Sequence, residues 1–378
     1  MIVFFPTYAR RLPGERRWRA TVAGMISRPL PPKSHRRTLA IGVIKRLLEL
    51  DDAQLQSEVF QRRADAFLFQ RVVGEPVTIT LGERRIDAGQ SDRVGHFQQS
   101  IDLAADDIEA LAEGTGGACR WLTYGAALTG AADQADTDPR LALSTSGRIQ
   151  LVDDEGMSVI SDIDDTVKVT NVANRRELLA NTLLREFSAV PGMAEIYRRW
   201  QAAGTAFHYV SASPWQLASC LSGFLRDTGL PAGSMHLKLF RLKDSTPLRR
   251  LPSRKRSKRR TIEQILGDFP RRKFLLVGDS GERDPEVYAD VARRHPDHVA
   301  GVAIRLVEGK RSRDKERLRL DRLGRRVPGG RWHVFAEPAE LGAAAMDLAG
   351  LRSAGLGSAG LGSAGLGSAG LGSAGLGG

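Results

Sequence analysis

From Met157 onward the chain alternates short apolar runs with helical stretches, and few folds accept that rhythm. The runs are Ser158 to Ile160, Ala206 to Val210, Leu237 to Phe240, Phe274 to Val277 and Val299 to Ile304, with His333 to Phe335 as a sixth candidate. Each is too short for a helix and nearly continuous in apolar residues, as expected of strands buried on both faces of a parallel sheet. The intervening helices have recognisable ends. Pro191 opens one that Gly204 closes, and Ser213-Pro214 reads as the N-cap and first turn of one closed by Gly229. The expected fold is Rossmann-like α/β over residues 151–348.

Residues 1–150 read differently, as an accessory domain that is partly helical and then β-rich. A helical stretch from about Arg37 to Phe69 carries Leu47, Leu48, Leu50, Leu55, Val59 and Phe60. It is followed by alternating strands such as Val77 to Leu81 and His96 to Ile101. Residues 349–378 repeat Ala-Gly-Leu-Gly-Ser, too short and glycine-rich a period for a packed unit, so a disordered tail is expected. No apolar run approaches the roughly 20 residues needed to cross a bilayer, and the start Met1 to Pro6 lacks the parts of a signal sequence, which makes a cytoplasmic location the expectation. Cys119 and Cys220 are too far apart in sequence for a CxxC metal or redox motif. The net charge of +12 favours anionic partners. Much of it lies in Arg241 to Arg260, where ten residues are basic and only Asp244 is acidic.

Chemistry enters where the strands end. Val159-Ile160-Ser161-Asp162-Ile163-Asp164-Asp165-Thr166 places two carboxylates two residues apart just past an apolar strand, where open α/β sheets hold their ligands. A calcium loop beginning at Asp162 would need Gly and Glu where the chain has Val167 and Ala173. A second acidic loop, Gly278-Asp279-Ser280-Gly281-Glu282-Arg283-Asp284, follows Phe274 to Val277. Two such loops can converge on one Mg²⁺, which takes hard oxygen ligands and leaves positions for a substrate phosphate. Ser211 and the backbone N–H of Ala212 follow a third strand and could hold phosphoryl oxygens. Ser213 reads as a helix cap. Lys258, 21 residues before Asp279, is a candidate for the fixed positive charge, with Lys238 as the alternative.

These pieces, in this order, resemble the four motifs of haloacid dehalogenase-type phosphatases. The stretches from Ser158 to Lys168, Val190 to Met193, Phe207 to Trp215 and Gly278 to Glu286 resemble more closely one branch, the actin-patch-associated phosphatidate phosphatase catalytic-domain family. The resemblance covers about residues 155–305. It implies that Asp162 is the nucleophile, forming an aspartyl-phosphate; that Asp164 is the general acid and base; and that Thr166 orients the loop. It further implies that the Asp162 side chain, the Asp164 carbonyl and Asp279 hold Mg²⁺, with Asp284 supporting the metal or Lys258. Ser211, Ala212 and Lys258 would bind the phosphoryl group. Relatives often carry histidine just before that lysine, where this chain has Ser257. The implied substrate is phosphatidate, reached at an anionic membrane surface. The alternatives are a soluble phosphorylated metabolite, or a nucleic-acid-binding protein, which would explain the basic run but leave the acidic loops unexplained.

Overall fold

The computed structural model describes residues 2–31, 33–114, 120–128, 146–171, 175–238, 254–307 and 312–341. Six parallel strands form one sheet, in the spatial order Ser234–Lys238, Ala206–Pro214, Gly156–Ser161, Arg272–Asp279, Val299–Arg305 and Trp332–Phe335. The chain enters at Gly156–Ser161, adds two strands on one side, then crosses back and adds three on the other. The carboxyl end of Gly156–Ser161 therefore lies where the winding reverses, the point at which neighbouring connections diverge and leave a crevice.

Side-chain alternation along these strands feeds two cores. Val159, Leu275 and Val277 pack on one face against Met193, Ile196 and Trp200 of the helix Met193–Ala202 and against Leu221 and Phe224 of Ala218–Asp227. Ile160, Phe274 and Leu276 pack on the other against Ile262 and Ile265 of Arg254–Asp268 and Tyr288 and Val291 of Asp284–Arg294. With both faces covered, near-continuous apolar runs are what the strands require.

The N-terminal part is a second, mixed sheet of nine strands. Its spine is the 13-residue strand Arg17–Pro29, which pairs antiparallel with Ile2–Phe4, Thr7–Arg11, Phe69–Arg71 and His96–Ala104. Thr7–Arg11 pairs parallel with Ser146–Val152. Ala20, Val22, Ile79, Phe97, Leu122 and Tyr124 fill its core. The order thus corrects the expectation of helix first: three strands precede the helical region, which itself is three helices, His35–Leu48, Asp52–Gln56 and Glu58–Phe67. The first break comes at Glu49, which takes a left-handed conformation (φ 53°), and Asp51 and Gln54 then form a reciprocal cap that restarts the chain. These helices share a small core, including Leu48, Phe60 and Leu68, with Leu183 of the helix Arg175–Leu183.

Two further corrections concern the parallel sheet. The strand expected at Leu237 to Phe240 begins earlier, at Ser234, and is described to Lys238, residues 239–240 lying outside the described residues; and Ser213-Pro214 ends a strand instead of capping a helix. Cys119, the basic stretch 239–253 and the repeat tail lie outside the described residues. Among those described, no helix is long and apolar enough to cross a membrane.

The two sheets are in contact. The Tyr8 hydroxyl donates to Asp268 (2.6 Å), and the N–H of Met235 donates to the carbonyl of Pro6 (2.8 Å). The buried Arg272 guanidinium donates to the carbonyls of Asp153, Glu155 and Met157 and to the Ser158 hydroxyl, fixing the short link between the sheets.

Candidate active site

Asp162 follows the strand Gly156–Ser161 directly, and its N–H donates to the carbonyl of Val277 (2.9 Å) in the neighbouring strand. Asp279 ends that neighbour, and Asp284 begins the helix behind it. The three carboxylates offer oxygens that all lie within 4.8 Å of one another, and all three side chains are buried. The close approach depends on Gly278: a Cβ there would lie 2.5 Å from an Asp284 carboxylate oxygen and 2.7 Å from the Tyr288 ring.

Lys258, in the helix Arg254–Asp268, reaches into this cluster and donates to Asp162 (2.8 Å) and Asp284 (2.6 Å). This separates the two sequence candidates: Lys258 lies among the carboxylates, whereas Lys238 ends the edge strand beside Pro214. Burial would pull the Lys258 ammonium down, but Asp162 and Asp284 outweigh it and hold it well above the usual lysine range.

One ammonium does not balance three carboxylates. Burial pushes the Asp162 carboxyl well above its ordinary range; Lys258 opposes the shift, and Asp284 and Asp279 reinforce it. Asp279 is raised in the same way, by burial first and by Asp284 next. Asp279 accepts from the N–H groups of Gly281 (2.6 Å) and Glu282 (3.1 Å) through Oδ1. The Oδ2 atoms of Asp279 and Asp284 are buried without a protein partner among the described residues. Hard, converging, underneutralised oxygens of this kind fit a small divalent cation.

Asp164 is near but differently placed. Its carboxylate accepts from Lys168 (2.8 Å), Thr170 (2.8 Å), Ser211 (3.2 Å) and Ser213 (2.5 Å). Burial raises the Asp164 carboxyl, but the Lys168 ammonium and the hydrogen bonds from Lys168, Ser213 and Thr170 outweigh it and hold the group below the usual range. Two carboxylates two residues apart are thus driven in opposite directions, Asp162 toward the neutral form and Asp164 toward the ionised one.

The loop is closed by its own backbone. Asp165 has φ 53°, and its side chain accepts from the N–H groups of Thr170 (2.8 Å) and Asn171 (2.7 Å). The Arg305 guanidinium holds its carbonyl (2.7 Å). Thr166 is buried, with its N–H bonded to the carbonyl of Ile163 (3.3 Å). Ser211 lies beside Asp164, and the strand expected to end at Val210 continues through it and Ala212 to Pro214. Sequence reasoning missed Ser213, Lys168 and Thr170. The strand Ala206–Pro214 shifts register against its neighbour between Val210 and Pro214, an irregularity beside the two serines that a sequence pattern does not reveal.

Residues 157–306 match the family described as "Phosphatidate phosphatase APP1, catalytic domain". An uncharacterized protein of Schizosaccharomyces pombe is 34% identical over 176 residues, covering 46% of this chain and 29% of its own length. Phosphatidate phosphatase APP1 of Saccharomyces cerevisiae is 28% identical over 263 residues, covering 66% of this chain and 41% of its own length. The chain therefore spans less than half the length of either relative. Among solved structures, a D,D-heptose 1,7-bisphosphate phosphatase from B. bronchiseptica, complexed with magnesium and phosphate, is 18% identical with a TM-score of 0.31, covering 50% of this chain and 98% of that one.

Proposed function

We propose that this chain, whose residues 157–306 belong to the APP1 phosphatidate phosphatase catalytic-domain family, hydrolyses phosphatidate through an aspartyl-phosphate formed on Asp162. The observation that carries the reading is the buried trio Asp162, Asp279 and Asp284 gathered around Lys258 at the switch point of a parallel sheet.

In the proposed reaction the Asp162 carboxylate attacks phosphorus and the bond from phosphorus to the glycerol oxygen breaks. Water then hydrolyses the acyl-phosphate. Lys258 uses two of its N–H groups on Asp162 and Asp284, and a third is available to a phosphoryl oxygen. Ser211 and the Ala212 backbone, at the end of the adjacent strand, are assigned the remaining phosphoryl oxygens, and Thr166 the shape of the loop. Asp164 is assigned the proton transfers. Its four donors favour the carboxylate form, which suits it to take the proton of the attacking water, and its delivery of a proton to the leaving oxygen requires those donors to let go. Mg²⁺ held by Asp162, Asp279, Asp284 and the Asp164 carbonyl would supply the positive charge that lets a carboxylate and a phosphate approach one another.

The test is phosphate release with Mg²⁺ from dispersed phosphatidate and from a panel of soluble phosphomonoesters. Preferential release from phosphatidate, abolished by chelator and lowered about four orders of magnitude by Asp162→Asn, is the expected result. Release from soluble esters alone would keep the chemistry and remove the lipid. Inactivity on every ester would overturn the reading.

A further inference from the structure

Outside the catalytic cluster, the feature with the least structural explanation is the outer face of the helix His35–Leu48. Its inner face is accounted for: Ala40, Ile41 and Ile44 pack on the core formed by Leu48, Phe60 and Leu183, and Arg37 pairs with Asp65 (2.5 Å). Its outer face carries Leu39, 66% exposed, and Val43, 59% exposed, one helical turn apart. Arg36 and Arg46 bracket them along the same face, with Lys33 and His35 exposed just before. Neither Arg36 nor Arg46 has a carboxylate partner among the described residues, and the sequence from Lys33 to Leu48 contains no acidic residue. The helix is firmly begun, with the Ser34 hydroxyl accepting from the N–H of Arg37 (3.2 Å).

We propose that the outer face of His35–Leu48 docks this protein on an anionic lipid bilayer, with Leu39 and Val43 inserted at the acyl boundary and Arg36 and Arg46 among the headgroups. Charge complementarity selects the anionic surface. The exposed aliphatic pair selects lipid over nucleic acid, since a phosphate backbone offers Leu39 and Val43 nothing to bury against. The helix is also coupled to the catalytic loop. It shares its core with Leu179 and Leu183 of the helix Arg175–Leu183; Asn181 of that helix donates to the Thr170 carbonyl (2.8 Å), and the Thr170 hydroxyl donates to Asp164 (2.8 Å). Docking there would place at the bilayer a helix that packs directly on the one supporting the catalytic loop. The proposal rests on the phosphatidate reading, which requires the substrate phosphate to be reached from a membrane.

The test uses the full chain and vesicles free of phosphatidate, either phosphatidylcholine alone or with about 30% phosphatidylserine, read by cosedimentation. The wild type is expected to bind the anionic vesicles and not the neutral ones. Leu39→Asp with Val43→Asp should lower partitioning at least about tenfold, and Arg36→Gln or Arg46→Gln about fivefold each, with thermal melting unchanged because all four side chains are exposed. Absence of wild-type binding, or binding indifferent to the Leu39 and Val43 changes, would overturn the proposal. So would tighter binding to RNA that the arginine variants alone weaken. Vesicle binding without phosphatidate hydrolysis would leave the docking intact and remove the proposed substrate. Hydrolysis in detergent micelles without vesicle binding would do the reverse.

Discussion

At the residue scale the most informative side chain is Ser213. Its hydroxyl lies 2.5 Å from Asp164, a shorter contact than the 3.2 Å made by Ser211. A hydrogen bond to a charged group contributes about 1.5–3 kcal/mol, and the wild-type contact is made to the group assigned the proton transfers. Ser213→Ala is therefore expected to lower kcat about 10–100-fold with little change in KM, because the phosphoryl contacts assigned to Ser211, Ala212 and Lys258 remain. Steady-state kinetics on whichever ester the enzyme accepts would check it, and an unchanged kcat would remove Ser213 from the machinery. Ser213 was hidden because serine before proline is a good N-cap in the abstract; only the strand's continuation through Pro214 turns it to another use. Asp162 and Asp279 were legible for the opposite reason. A carboxylate immediately beyond a buried strand has no cap to serve and must meet a cation or a donor.

At the scale of elements, the loop Asp162 to Asn171 behaves as one hydrogen-bonded unit around Asp165. The left-handed conformation of Asp165 suits glycine and tolerates Asp and Asn, while its carboxylate secures the N–H groups of buried Thr170 and of Asn171. These demands order the substitutions. Asp165→Asn keeps the conformation and an acceptor and should cost least. Asp165→Gly keeps only the conformation, and Asp165→Ala keeps neither, costing about 1 kcal/mol more than Gly. Chemical denaturation of the three variants would test the order, and an Ala variant as stable as the Asn one would refute it. The same contrast between pattern and context explains how much of the fold could be read in advance. The parallel strands were legible because burial on both faces leaves an unbroken apolar signature. The strand Arg17–Pro29 was not, since it changes partners along its length and its burial follows those partners instead of a period of two. The helical region was found, but its break at Glu49 is a backbone event that apolar spacing does not encode.

At the scale of the whole molecule, the two sheets meet around two histidines that burial keeps neutral well below their ordinary range. His208 shares the Ser234 hydroxyl with His236, at 2.7 and 3.1 Å, and both rings lie against Tyr8 of the N-terminal sheet. Burial pulls His236 down to about 4 and His208 well below its ordinary value, with His236 and Arg272 adding to the shift of His208. The unfolded chain, with ordinary histidines near 6.5, takes up protons first as pH falls, so these groups favour unfolding progressively below about 6.5. Their effect is absent above that pH, and the part due to His236 is complete below its folded value of about 4. For His236 this amounts to about 3 kcal/mol across the window. Thermal melting of wild type and His236→Gln between pH 7.5 and about 4.5 should show the variant losing less stability on acidification, since a neutral amide has no proton to gain. Parallel curves would mean that the junction tolerates a charged His236. A flatter curve for the variant would tie the acid sensitivity of the whole protein to the seam between its sheets, where the N-terminal sheet supplies Tyr8, the parallel sheet both histidines, and the helix Arg254–Asp268 its last residue.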